Sequence, residues 1–496
     1  MQMHDFFTLH NAKIERAFEI ILPLTTWFII TMPIWLSFFH PAVVAYFILT
    51  FDIYFLYKSL TTTFFSTFSY FKLKKLSQIN WLKKAKTLKN YPKVYHAIIV
   101  TNYKESVSKV RHTLEILCTQ DFPLQRILIF LAVEEREGLE AQERTQILEK
   151  EFKNKFGFIT STVHPALPGE VKGKASNSTW TAKIISRVIR EKGIDPDFVT
   201  LTSCDADSLM PIKYFSYLTF LFLTDKNRYF HFYWAPVLLY SNFWEIPLVI
   251  RLQATISSIV RLASLSRPDN LIQISTYSLS LRMIEKIGYW DTDIIPEDWH
   301  VFLQAFFALG DKVKTLPIYL IISRDAVNST SLFRTFKSRY EQEKRWAWGI
   351  TDVPYALNKL FTVSGIPFLS KLYRVLYVVE THLLWPTSFF ILTLGASIPA
   401  LVNPVFGRTA LGHNLPRISG LILTVTTLFL VVLIIIDTKS RPKKPEGYSV
   451  AKTPLLLFQW ILLPVVSFFF SSLPALEAHT RLLLGKRLEY KVTEKI

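Results

Sequence analysis

Two groups of long apolar segments bracket a central stretch of mixed composition, and this layout limits the fold more than any other feature. In the first group Ile20 to Phe39 carries no charge, and Ala42 to Tyr57 is interrupted only by Asp52, with His40-Pro41 leaving room for a hairpin. In the second, Leu383 to Val402, Ile418 to Ile436 and Pro454 to Leu476 are each long enough, at about 1.5 Å per residue, to cross about 30 Å of hydrocarbon. The first stretch lacks a small-residue cleavage pattern and leads straight into a second apolar segment, so it reads as an anchor and not a removable signal. The expected divisions are a transmembrane hairpin over residues 1–71, a basic interfacial linker over 72–93, an α/β domain over 94–360, a membrane region over 361–476 and a basic tail over 477–496.

Charge sets the expected orientation. The loop from Asp437 to Lys452 carries five basic residues and that from Asn403 to Arg417 two, so the former faces the cytoplasm, and the central domain with it, in a protein of the plasma membrane. Five full crossings would then put Arg481, Lys486, Arg487, Lys491 and Lys495 outside. Pro464 divides the last apolar segment into halves too short to span, and a re-entrant or interfacial hairpin there keeps the tail inside. Asp52 is open to two readings: an intramembrane acid with a function, or one settled near the interface or paired with His382.

Basic residues number 57 against 39 acidic, a net charge of +18, compatible with nucleic acid, anionic lipid or a phosphorylated substrate. Nine lysines and no acid occur from Lys58 to Lys93, among Phe64, Phe65, Phe68, Tyr70, Phe71 and Trp81, a composition suited to membrane lipid headgroups. No zinc spacing, RNA-binding signature or helix-turn-helix pattern accompanies the charge, so no nucleic-acid partner is expected. Cys118 and Cys204, in a helix and a strand, are expected to be reduced packing residues.

The central stretch alternates in hydrophobic period as an α/β domain does. Val94 to Val100, Arg126 to Val133, Phe158 to Val163 and Phe198 to Ser203 read as strands, separated by helices over Glu105 to Thr119, Gly138 to Phe156 and Ser176 to Lys192. This order predicts a mostly parallel sheet that binds ligands at the carboxyl ends of its strands. Lys72 to Lys93 and Ser440 to Tyr448 are the natural linkers.

Asp205-Ala206-Asp207 stands at such a strand end. Such a pair closes many loops, but here its hard oxygens could also hold Mg²⁺ or Mn²⁺ against a diphosphate leaving group. Asp207 is the candidate metal ligand, with Asp205 placed for a ribose or a metal-bound water. Glu297-Asp298 follows Pro296 and precedes an apolar helical run. It reads either as helix-start charge favoured by the macrodipole or as a carboxylate that takes a proton from an acceptor hydroxyl. On a helix over Ser331 to Trp348, Gln342, Arg345 and Trp346 share one face, for structural packing or for diphosphate contact and sugar stacking.

The order of Asp-x-Asp, Glu-Asp and Gln-x-x-Arg-Trp resembles the family 2 inverting glycosyltransferases, especially the membrane-embedded branch of cellulose, chitin and hyaluronan synthases. The resemblance spans Val94 to Leu360 by motif and the flanking helices by layout. It implies a GT-A-type, Rossmann-like α/β domain between groups of transmembrane helices, a nucleotide-sugar donor, expected to be a UDP-sugar, and Mg²⁺ or Mn²⁺ as cofactor. By matching, Asp205 and Asp207 take the nucleotide and metal roles, Asp298 that of general base beside Glu297, and Gln342, Arg345 and Trp346 the acceptor and diphosphate face. Thr101, Asn102 and Glu105 resemble the first strand-turn that surrounds the nucleotide. Lys172, Lys174 and Asn177 resemble the segment that seats it, and Ser280 and Arg282 the lining of the acceptor cleft. Tyr490 to Lys495 resembles a tail signature of this branch. Where the family places an aspartate on the base, this chain has Glu134-Glu135. The acceptor implied is a growing polysaccharide, with a lipid, as in ceramide glucosylation, as the alternative that shares two of the motifs.

Overall fold

The computed structural model describes residues 11–267, 269–446 and 454–489. It forms two compact units, one of Phe68–Phe243 with Ser264–Ala326, the other of the described residues of Met1–Thr67, Trp244–Ala263 and Val327–Ile496.

The first unit is built on a seven-stranded sheet. Its strands are β1 (Tyr95–Thr101), β2 (Ile127–Glu134), β3 (Phe158–His164), β4 (Val199–Asp205), β5 (His231–Trp234), β7 (Tyr277–Ser280) and β8 (Lys314–Pro317), in the order β3-β2-β1-β4-β7-β5-β8. β3, β2, β1 and β4 are parallel, β7 is antiparallel to β4 and β5, and β8 is parallel to β5, so the sheet is mostly parallel. β2 is buried along its whole length, as a strand covered on both faces requires, which is why it reads as a continuous apolar run. Helices Val107–Cys118, Leu139–Phe152 and Lys174–Glu191 connect the parallel strands. The first begins where the Ser106 side chain accepts from Lys109 N at 3.3 Å. His96 is a polar residue inside this core. Its ring nitrogens reach Thr200 Oγ1 at 2.6 Å and Thr219 Oγ1 at 2.8 Å, and burial pushes its pKa down to about 3, so it stays neutral.

A second small sheet pairs β6 (Val237–Leu238) with β9 (Ile322–Ser323). Leu209, four residues past the end of β4, bridges Ser323, donating from N at 2.8 Å and accepting at O at 3.1 Å. Trp81 belongs to this unit as well. It is buried and stacked on Tyr217 with ring centroids 3.7 Å apart, so among the aromatics of the basic segment it packs inward and not toward headgroups.

The other unit is helical. Five helices are long and apolar enough to cross a membrane: Ala12–Leu36, Pro41–Leu76, Phe368–Val402, Ala410–Ser440 and Gln459–Leu483. The second runs well past Tyr57, where the apolar stretch ends, because no glycine or proline interrupts Lys58 to Leu76 and Lys58 pairs with Glu380 at 2.6 Å. In the last, Pro464 sits at the first turn of Leu463–Ser467, where its missing N–H leaves no gap; the irregularity falls at Phe468–Ser472, with Phe470 at φ −119°. Arg16 donates to Leu482 O at 2.8 Å and Leu483 O at 2.5 Å, satisfying carbonyls that a helix end leaves orphaned. Asp52 is fully buried. The tail signature at Tyr490 to Lys495 lies outside the described residues.

Candidate active site

The parallel strands set the site at their carboxyl ends. Thr101 of β1 stands beside Asp205 of β4 in the register, and Glu134 of β2 beside His164 of β3. After β4 the chain turns at once, with Ser208 N donating to Asp205 O at 3.0 Å and Thr113 Oγ1 to Ala206 O at 2.6 Å. This turn holds Asp205 and Asp207 at one edge, and Asp207 is buried.

Both aspartates are engaged by side-chain cations. Asp205 Oδ1 lies 2.7 Å from Lys174 Nζ and its Oδ2 2.8 Å from Arg324 Nη1, while Arg324 Nε lies 3.2 Å from Asp207 Oδ1. Lys174 reaches this point because it opens its helix directly after Gly173, whose φ of 151° and ψ of −161° occupy a region essentially confined to glycine. The same ammonium lies 2.9 Å from Glu297 Oε1. Burial works against the charge on Lys174, but Asp205 and Glu297 outweigh it and hold its pKa well above the usual lysine value. Burial likewise pushes Asp205 up, and Arg324 and Lys174 reverse this, keeping its carboxyl far below the usual range. Glu297, fully enclosed and beside Asp298, is pushed up to about 7, mainly by burial.

Ser275 joins the two acidic motifs. Its hydroxyl donates to Asp205 Oδ2 at 2.5 Å and accepts from Arg324 Nη1 at 2.7 Å. Its backbone N–H donates to Asp298 Oδ2 at 2.8 Å, and its carbonyl accepts from Lys174 Nζ at 2.8 Å. It does this with φ at +69°, a left-handed conformation unusual for a residue with a side chain. Asp298 Oδ1 also accepts from Trp299 N at 2.9 Å, and Gln273 Nε2 donates to the Asp298 carbonyl at 3.0 Å, so the start of the Glu297–Leu309 helix is pinned to this loop. Asp298 is half-buried and Glu297 buried, which leaves Asp298 as the member of the pair open toward a ligand.

The residues expected around a nucleotide fall on the same strand ends. Asn102 and Asn177 both donate to Ala132 O, at 3.3 and 3.1 Å, and Glu105 accepts from Tyr103 N. Thr101 Oγ1 donates to Cys204 O at 3.3 Å. A cleft is lined by Glu134, Arg136, His164, Glu170 and Lys172 among others. Arg136 pairs with Glu134 through two nitrogens at 2.7 and 3.1 Å and lies over the Tyr103 ring, so the residue standing where the family has an aspartate is neutralised from within. Ser280 and Arg282 are not brought to this edge. Ser280 pairs with Thr200, five positions before Asp205 on β4 and thus roughly 16 Å away along the strand, where it caps a short helix, and Arg282 pairs with Asp197 at 2.6 Å.

Gln342, Arg345 and Trp346 lie on the Leu332–Ala347 helix of the helical unit. Gln342 and Glu343 are buried and accept from Arg339, itself 1% exposed, and Gln253 also donates to Glu343. The Trp346 ring has guanidinium groups near it, Arg339 at 4.7 Å and Arg261 at 5.4 Å from its centroid. Arg345 and Trp346 are half-buried.

Sequence reasoning missed Arg324 and Ser275. The first is brought in by the pairing of β9 with β6 and Leu209, and the second by a backbone bend; a lone Ser-Arg or Ser-Thr carries no periodic signal of either. For a divalent cation the donor type fits, since the strand end offers carboxylate oxygens and a magnesium-like ion completes its shell with phosphate and water. Among the described residues no group of three or more His, Cys, Asp and Glu side chains is arranged to hold a metal ion by itself. Three carboxylates, Asp205, Asp207 and Glu297, face two cations, Lys174 and Arg324, and Asp298 joins them through the Ser275 N–H.

Residues 204–436 match the profile of the glycosyl transferase family group 2. The match takes in Asp205-Asp207, Glu297-Asp298 and the Gln342-Arg345-Trp346 helix. A comparison with curated proteins gives no match. Among solved structures, the chain is similar to the mannosyltransferase PcManGT from Pyrobaculum calidifontis in complex with GDP-Man and Mn²⁺, at 14% identity and a TM-score of 0.43, over 80% of this chain and 100% of that one. It is also similar to S. aureus TarS 1–349 in complex with UDP-GlcNAc, at 10% identity and a TM-score of 0.34, over 79% of this chain and 93% of that one.

Proposed function

We propose that the protein is a membrane glycosyltransferase that moves a sugar from a nucleotide-sugar donor onto a growing polysaccharide, with inversion at the anomeric carbon. The observation that carries this reading is Ser275, which bonds Asp205 through its hydroxyl and Asp298 through its backbone N–H, and so sets a donor-side carboxylate and a candidate base around one small residue. The match of residues 204–436 to a glycosyltransferase family supports the same reading.

Asp298 takes the proton from an acceptor hydroxyl as that oxygen attacks the anomeric carbon, opposite the departing nucleoside diphosphate. Glu297 is the poorer base for this step because it is buried against Lys174. Lys174 holds Asp205 in place and keeps positive charge at the edge where the diphosphate charge develops. Glu134, Arg136 and Lys172 line the cleft assigned to the nucleotide. Arg345 and Trp346, half-buried, are assigned to the diphosphate and the sugar. Asp207, with Asp205, would hold a divalent cation, which when bound supplies charge neutralisation to the leaving group.

The test is the purified protein in nanodiscs with Mg²⁺ or Mn²⁺ and a panel of nucleotide sugars, reading released diphosphate and product size together. A ladder or high polymer from one donor, abolished by EDTA, is the expected result. A single sugar on a lipid would replace the polysaccharide acceptor, and no diphosphate release with any donor would overturn the assignment.

A further inference from the structure

Arg324 is the cation that both aspartates share. Its backbone is fixed on two sides, since Arg324 N donates to Leu238 O at 2.9 Å and Ser241 N donates to Arg324 O at 3.2 Å, while the preceding Ser323 is bridged to Leu209. Its guanidinium lies 2.8 Å from Asp205 Oδ2, 3.2 Å from Asp207 Oδ1 and 2.7 Å from Ser275 Oγ. The neighbouring Asp325 carboxylate is 3.2 Å from Lys109 Nζ, so the next acid along the chain has a cation of its own. A divalent cation binds carboxylate oxygens at about 2.0 to 2.6 Å. At that distance from Asp207 it would sit against the guanidinium, positive against positive, in a buried setting where screening is weak.

We infer that Arg324 is a resident counter-cation of the acidic pair, which a divalent metal ion must displace from Asp205 and Asp207 in order to bind there. The exchange uses an anchored backbone and a long side chain, so the guanidinium can swing while Ser323-Arg324 stays on its ladder. A diphosphate arriving with the metal offers the planar guanidinium a two-oxygen partner of the kind it favours. The metal alone therefore binds weakly, and metal and diphosphate enter together. This inference rests on the reading of Asp205 and Asp207 as the cation-holding pair.

The experiment titrates the full chain in nanodiscs with Mn²⁺ alone, following bound Mn²⁺ by electron paramagnetic resonance, with thermal unfolding as the check on folding. Arg324→Gln is expected to lower the Mn²⁺ Kd at least about tenfold, because it removes a unit positive charge a few ångströms from the ion. Arg324→Lys, which keeps charge but not the two-point grip, gives a smaller gain. Asp207→Asn in the Arg324→Gln background cancels the gain and places it at this pair. A folded Arg324→Gln protein that binds Mn²⁺ no more tightly than wild type overturns the role of Arg324. If Arg324→Gln does not fold, an unchanged Kd in Arg324→Lys does the same. No saturable Mn²⁺ binding in any variant would instead overturn the reading of the aspartate pair itself.

Discussion

Ser275 holds its neighbours through three groups at once, hydroxyl, N–H and carbonyl, and it does so from a left-handed backbone. Glycine tolerates that conformation and alanine does not, while both lose the hydroxyl, so the two substitutions separate strain from hydrogen bonding. Ser275→Gly is expected to unfold in denaturant with about 1 kcal/mol more stability than Ser275→Ala; the reverse order would contradict the backbone geometry. Glu297 gives a second residue-scale prediction. Its folded pKa is raised from an ordinary 4.5 to about 7, chiefly by burial, so between these values the folded state holds a proton that the unfolded state has lost. Stability from this group is present below about pH 4.5 and falls as pH rises to about 7. Glu297→Gln should flatten that fall in a pH series of melting curves; an unchanged slope would mean that Glu297 titrates as an ordinary acid. The four acids were legible because they stand at a strand end and a helix start, which periodicity locates. Ser275 and Arg324 were not, because a bend and a two-residue ladder made them neighbours of residues far away in sequence.

At the scale of elements, the parallel half of the sheet was readable and the antiparallel insertion was not. β1, β2 and β4 are runs of mostly buried residues and β3 a partly buried edge strand, spaced by helices, and each falls within about two residues of its expected place. β7 is four residues, Tyr277–Ser280, ending on a serine that caps the next helix, too short to stand out as a strand, and the family resemblance directed Ser280 and Arg282 to a cleft instead. The Leu332–Ala347 helix was read correctly as a helix, but the motif directed attention to Gln342 and away from Arg339, the buried cation that Gln342 and Glu343 share. Removing one partner of a buried ion pair strands the other charge. Arg339→Ala should therefore cost about 3 to 5 kcal/mol in unfolding free energy, and Arg339→Met with Glu343→Leu should recover most of it. A loss under 1 kcal/mol in the single variant would show that Glu343 is held by other groups.

For the whole molecule, five helices among the described residues that are long and apolar enough to span a membrane accompany an α/β sheet with an acidic pair at one strand end, and residues 204–436 match a glycosyltransferase family. The apolar segments were enough to foresee helices of membrane-spanning length, and the alternation of strand and helix periods the mostly parallel sheet. The acceptor depends on surface shape, which composition does not encode. The central claim is that Asp298, held by Ser275, is the base of a sugar transfer at the edge defined by Asp205 and Asp207. Its most direct measurement is single-turnover sugar transfer by Asp298→Asn beside donor binding by the same protein. Transfer should fall about a hundredfold or more while donor affinity stays that of wild type. Transfer at the wild-type rate would contradict the claim.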